Sequence, residues 1–188
     1  MIIDYDKRTV GIKIVFFGPA MSGKTTTIKW LFNELNLNEE LTSIENSVGR
    51  TMFMDFGIIP FQMGDDWTIN AHIWSATGQD FYKSTREVIL VGADGIIFVA
   101  DAQLNLQDEN VESWNELTEI SLEADESLPI VVFLNKTDLP NIVNEDQLRM
   151  VLELDSRVPV VLGIASQGKN VVETFQWLFQ QAMTASIA

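Results

Sequence analysis

The 188 residues suit one domain, 1–188, and a chain of this size buries roughly 70% of its extended surface, for which a 46% hydrophobic content supplies the core. With 12 basic against 27 acidic side chains and a net charge of −15, the surface repels nucleic-acid backbones and offers no basic patch to anionic lipid. The lack of cysteine excludes disulfides, thiolate metal sites and thiol nucleophiles, and agrees with an expected cytoplasmic location.

Taken in chain order, the start, Met1 to Asp6, lacks the basic-then-apolar pattern of a signal peptide, and Ile2 stands where myristoylation needs glycine. Ile12–Phe17 is a short apolar run that stops at Gly18, the pattern of a buried strand. From Gly23 to Leu35, the residues Ile28, Leu31, Phe32 and Leu35 fall on one face of a helix. Residues 36–50 are polar and read as a loop. Thr51–Pro60 and Trp67–Trp74 read as strands of an antiparallel hairpin, joined through the turn chemistry of Gln62–Asp66.

Gly95–Ala100, Ile130–Leu134 and Val158–Ile164 are continuous apolar runs, suited to strands buried on both faces of a parallel sheet. Helical patterns fill about 80–91, 107–123, 144–154 and 168–184. The tail carries no prenylatable cysteine, and no run has the length of a membrane span, so no direct lipid anchor is expected. The order β-α-β-β-α-β-α-β-α-β-α predicts an α/β fold with a six-stranded, mostly parallel sheet, one antiparallel strand and about five flanking helices.

Gly18-Pro19-Ala20-Met21-Ser22-Gly23-Lys24-Thr25 satisfies the pattern G-x-x-x-x-G-K-[ST] between a strand and an amphipathic helix. Such a loop wraps a β-phosphate, so glycine occupies its tight positions. The amides of about Met21 to Thr26 are expected to point inward, with the positive end of the helix dipole behind them. Lys24 is expected to bridge the β- and γ-phosphates and the Thr25 hydroxyl to ligate Mg2+. Ala20, Ser22 and Thr26 complete the phosphate-binding set.

Ile130–Leu134 leads directly into Asn135-Lys136-Thr137-Asp138. A carboxylate at Asp138 accepts two hydrogen bonds from guanine, at N1–H and the 2-amino group, whereas adenine leaves it unpaired. Asn135 braces the loop, and the Lys136 stem lies along the base plane. After the last apolar run, the Ala165 amide, followed by Ser166, is a candidate donor to guanine O6, although an ordinary strand-to-helix turn accounts for the same two residues.

These residues resemble the Ras-like small GTPases over about 18–166, which implies the P-loop NTPase fold of small G proteins, GTP and GDP as ligands, and Mg2+. By that resemblance Thr51 is the effector threonine and second Mg2+ ligand. The family motif D-x-x-G-Q is met by Ser75-Ala76-Thr77-Gly78-Gln79, in which Gly78 senses the γ-phosphate, Gln79 orients the attacking water, and Ser75 replaces the family's aspartate. The departure resembles the MglA-type, Arf-like branch of bacterial and archaeal GTPases. So do Arg50-Thr51, Met54-Asp55-Phe56, Val99-Ala100-Asp101 and Asp138-Leu139-Pro140-Asn141. The branch implies a catalytic arginine supplied in cis, matched by Arg50, and an acid on the second strand of the domain in place of the missing one, matched by Asp55. It also implies a dimeric Roadblock/LC7-type regulator, further effectors, and a role in cell polarity or motility. Ala20 stands where Ras-like proteins often have glycine, and a methyl crowding Gln79 or an arginine there predicts slow hydrolysis without a regulator.

From the residues alone, Arg50 is also readable as a solvated loop arginine and Asp55 as a solvent-facing strand residue. His72, in an alternating strand, reads as structural. A nucleotide-binding scaffold with little hydrolysis stays open beside the switch, because of Ser75 and Ala20. A P-loop ATPase or nucleotide kinase is opposed by Asn135 to Asp138 and by the few arginines, at 8, 50, 86, 149 and 157.

Overall fold

The computed structural model of the protein describes residues 1–45, 51–76, 83–122 and 128–185. Its strands are β1 (Ile2–Asp4), β2 (Thr9–Phe17), β3 (Leu41–Glu45), β4 (Thr51–Met63), β5 (Trp67–Ala76), β6 (Gly95–Asp101), β7 (Ile130–Asn135) and β8 (Val160–Leu162). The helices are α1 (Lys24–Glu34), α2 (Lys83–Leu90), α3 (Gln107–Leu122), α4 (Glu145–Val151) and α5 (Val171–Ala185). They form one sheet in the order β3-β4-β5-β2-β6-β7-β8, with β1 added beside β2.

The pairs β5–β2, β2–β6, β6–β7 and β7–β8 are parallel, and β4–β5 is the expected antiparallel hairpin, closing at Met63 opposite Trp67. Among the described residues the sheet has eight strands rather than six, because two short edge segments join it. Leu41–Glu45, expected within a loop, pairs antiparallel with β4, and Ile2–Asp4 pairs antiparallel with Thr9–Gly11. Both take their order from neighbours' unpaired backbone groups, which their own composition does not announce.

The period of two in the strands distributes two cores. Ile12, Ile14 and Phe16 of β2, Ile97 and Val99 of β6, and Val131 and Phe133 of β7 face one side, where α1 and α5 bring Ile28, Leu31, Phe32, Phe175 and Leu178. Val15, Phe17, Ile96, Phe98, Val132 and Leu134 face the other, where α2, α3 and α4 bring Ile89, Leu90, Trp114, Leu117 and Leu148. Burial on both faces is why these strands read as unbroken apolar runs. The register also brings the carboxyl ends of β2, β6, β7 and β8 to one edge, where crossovers of a parallel sheet leave a crevice. Among the described residues no helix is long and apolar enough to cross a membrane.

Candidate nucleotide site

Four loops follow those carboxyl ends. The first is Gly18–Gly23, between β2 and α1. Gly18 has φ +136°, and a Cβ there would lie 2.3 Å from the Val99 carbonyl oxygen, so only glycine lets the loop pass β6. Met21, at φ +61°, is the non-glycine residue that the turn forces into the left-handed region, and its side chain is exposed. Gly23 then caps α1 at φ +106° with no side-chain cap hydrogen bond and no acid in the first turn. Helix α4 shows the contrast, since Asn144 and Gln147 close a full capping box at its start. Gly23 thus offers no side-chain acceptor at the start of α1, a helix start of the kind that suits an anion.

Lys24 is buried and spans its own loop, donating to the carbonyls of Gly18 and Pro19 at 2.7 Å each. Burial pushes its ammonium down to about 7, the Asp55 carboxylate works against that, and Arg86 adds to it. Thr25 donates its hydroxyl to Asp55 Oδ2 at 2.7 Å. Asp55 is fully buried, so it is not the solvent-facing strand residue that the sequence also allowed. It lies on β4 directly opposite Ser75 of β5, itself buried. The exposed Ala20 borders a cavity of about 190 Å3 shared with Arg86 and Glu116, which form a part-buried ion pair at 2.9 Å.

Asn135 ends β7 and joins three loops. Its Nδ2 donates to the Ser22 carbonyl at 2.8 Å, and its Oδ1 accepts the Ala165 amide at 2.8 Å. A Cβ on Gly23 would sit 2.2 Å from the same Nδ2. The Ala165 amide, expected to face guanine O6, is therefore engaged by Asn135, and Ala165 here fastens the turn Ala165–Gln167 to β7. Ser166 beside it is exposed. Thr137 donates its hydroxyl to the Gly163 carbonyl at 3.0 Å, tying the same two loops again. Trp30 of α1 lies against Gly168, where a Cβ would meet the indole at 1.9 Å. Asp138 is exposed at the lip of the site, and Lys136, at φ +67°, turns back to pair with Asp101 at the end of β6.

Of the expected site residues, Gly18, Ala20, Met21, Ser22, Gly23, Lys24, Thr25 and Thr26 thus form one loop and helix start, with Asn135 locked onto it. Thr51 opens β4, four residues before Asp55. Arg50, Gly78 and Gln79 lie outside the described residues. Sequence reasoning missed the positions of Asp101, Gln107 and Asn110, a buried polar cluster at the foot of α3. The signal was present, since an acid ending the apolar run Gly95–Ala100 has to find a partner.

The donor set suits a polyanion with a divalent ion: an uncapped helix start, a buried lysine, and a threonine hydroxyl against a buried carboxylate. Comparison with known proteins agrees. A family model described as Ras of Complex, Roc, domain of DAPkinase matches residues 13–138. The mutual gliding-motility protein MglA of Myxococcus xanthus (strain DK1622) is 32% identical over 190 residues, covering 97% of this chain and 95% of that protein. The chain belongs to the Ras-like small GTPases, in the MglA-like part of that family, and is a guanine-nucleotide-binding GTPase.

Proposed function

We propose that residues 1–188 form a single GTP-binding domain that works as a molecular switch on GTP and GDP with Mg2+. The observation that carries the reading is Asn135, whose amide joins the phosphate loop to the loop after β8, so that phosphate and base contacts share one rigid frame. In this reading Lys24 leaves its loop carbonyls for the β- and γ-phosphates, and the amides from Met21 to Thr26 hold the same oxygens. Gly78 donates its amide to the γ-phosphate. Asp138 reads guanine, the Lys136 stem backs the base, and Ala165 and Ser166 close the far side.

Thr25 and Thr51 hold the Mg2+, and Asp55 orients Thr25 from behind, which the 2.7 Å hydroxyl–carboxylate bond supports. Bound there, Mg2+ neutralises charge on the β- and γ-phosphates. Gln79 orients a water toward the γ-phosphorus, Arg50 stabilises charge on the departing β-phosphate oxygen, and the γ-phosphorus–oxygen bond breaks to give GDP and phosphate. Turnover is slow without a regulator, and a Roadblock/LC7-type dimer fits that role. The name of the Myxococcus relative, a gliding-motility protein, supports a place in cell polarity or motility. A cytoplasmic setting agrees with the lack of cysteine.

Competition binding tests the base reading. GTP displaces a fluorescent GDP analogue and ATP does not, while Lys24→Ala abolishes binding of both. Equal displacement by ATP overturns it. Single-turnover phosphate release tests the switch chemistry. Arg50→Ala is expected to slow hydrolysis by about 10³-fold with little change in GTP affinity.

A further inference from the structure

Asp101 ends β6 with its side chain 2% exposed, and no step of the proposed chemistry uses it. Around it lies a dense set of hydrogen bonds. Oδ1 accepts from the Gln103 amide at 3.0 Å and from Gln103 Nε2 at 3.2 Å, and Oδ2 pairs with Lys136 Nζ. Its backbone is held as firmly. The Asp101 amide donates to Asn110 Oδ1 at 2.9 Å, and Asn110 Nδ2 and Gln107 Nε2 both donate to the Asp101 carbonyl, at 2.8 and 3.1 Å. Asn110 is fully buried and Gln107 nearly so. Two side chains of α3 therefore hold the Asp101 backbone, and one loop glutamine holds its carboxylate.

Folding alone does not call for this arrangement. An ion pair with one buried partner gains little over an apolar pair of equal volume, because the buried carboxylate loses its hydration. What it does supply is a fixed direction for a long, flexible side chain that otherwise samples many rotamers. Lys136 leaves β7 in the left-handed region, next to Asn135, which grips the phosphate loop, and two residues before Asp138. A lysine that turns back on itself needs an anchor at its far end if its stem is to stay beside the ligand.

We propose that Asp101 is a positioning residue for nucleotide retention: its carboxylate, held by Gln103 on a backbone clamped by α3, pins the Lys136 ammonium so that the lysine stem stands as a pre-formed wall against the guanine base. The inference rests on the reading of Lys136 as a base-contacting residue. Ordering that stem before the ligand arrives removes an entropic penalty from binding and slows release.

The test is a double-mutant cycle read by the release rate of a fluorescent GDP analogue from the full chain, using Asp101→Asn, Lys136→Met and the pair. Asp101→Asn is expected to speed release about tenfold, and less than about twofold when Lys136 is already Met. Equal acceleration by Asp101→Asn in both backgrounds means a general structural role and overturns the proposal, as does no acceleration in the native background. If Lys136→Met alone leaves release unchanged, it is the base-contact reading that fails. Gln103→Ala, on a half-buried residue, guards against a variant that does not fold. It removes donors from the same carboxylate and is expected to speed release about threefold only when Lys136 is present, and an unchanged rate there also overturns the proposal.

Discussion

Asp55 and Ser75 face each other across the β4–β5 hairpin as a direct antiparallel pair, both buried, and the Asp55 carboxylate accepts the Thr25 hydroxyl at 2.7 Å. The carboxylate that the Ras-like pattern places on β5 has thus a counterpart one strand over at the same register. Residues opposite each other in such a pair have Cβ atoms only about 5 Å apart, a gap that a carboxylate spans by a change of strand.

Asp55→Asn is therefore expected to weaken Mg2+-dependent GDP retention by about 10- to 100-fold. Adding Ser75→Asp in that background returns the carboxylate to the neighbouring strand and is expected to recover part of the loss. Magnesium titrations of GDP release check both. If the single variant holds Mg2+ as tightly as the native chain, Asp55 has no part in the metal site.

Gly23 has no room for a side chain, since its φ is +106° and a Cβ would lie 2.2 Å from Asn135 Nδ2. Gly23→Ala combines backbone strain with displacement of the amide that joins the loops. It is expected to cost about 2 kcal/mol or more in stability and to abolish GDP binding. Urea unfolding and nucleotide binding on the same preparation separate the two effects. Retained binding would show that the Asn135 bridge is dispensable.

Ser22 Oγ is buried with no hydrogen-bond partner among the described residues. The Ser22 backbone does the bracing, through the carbonyl that accepts from Asn135. Removing the hydroxyl in Ser22→Ala leaves that bond intact and is expected to raise the stability of the nucleotide-free protein by about 1 kcal/mol. A lower unfolding midpoint in urea contradicts the unsatisfied state of the hydroxyl.

His72 stacks at 6.5 Å on Phe56, and its Nε2 would lie 3.3 Å from a Cβ on Gly11. Burial holds the imidazole below its usual value. The unfolded chain therefore takes up the proton first on acidification. The contribution to stability is complete above the unfolded value near ~6.5 and is lost as pH falls toward the lower folded value. His72→Gln is expected to flatten the difference in unfolding midpoint between about pH 7 and pH 5. Parallel curves for the two proteins refute the assignment.

Much of this protein was legible in its sequence, and the reason is locality. A phosphate loop is eight consecutive residues between a strand and a helix, and Asn135 to Asp138 follow an apolar run directly. The central strands β2, β6 and β7 were legible because burial on both faces makes them continuously apolar. The edge strands β1 and β3 were not, since an edge strand takes its order from a neighbour's free backbone groups rather than from its own composition.

Register and long-range contact decided the rest. In the sequence Asp55 is a candidate by resemblance to replace the missing acid, beside the reading as a solvent-facing strand residue, and nothing there points to Thr25. Only the pairing of β4 with β5 places it opposite Ser75. Asn135 was expected to brace a loop, and the tertiary structure shows which ones, with Ser22 lying 113 residues away. The same side chain takes up the Ala165 amide, the candidate donor to the base. The sequence determined which chemistry is present, phosphate, guanine and a missing acid, because each motif is a short run with its own bonding capacity. The fold decided which groups meet, because hydrogen bonds between loops depend on strand order and register, which no local pattern encodes.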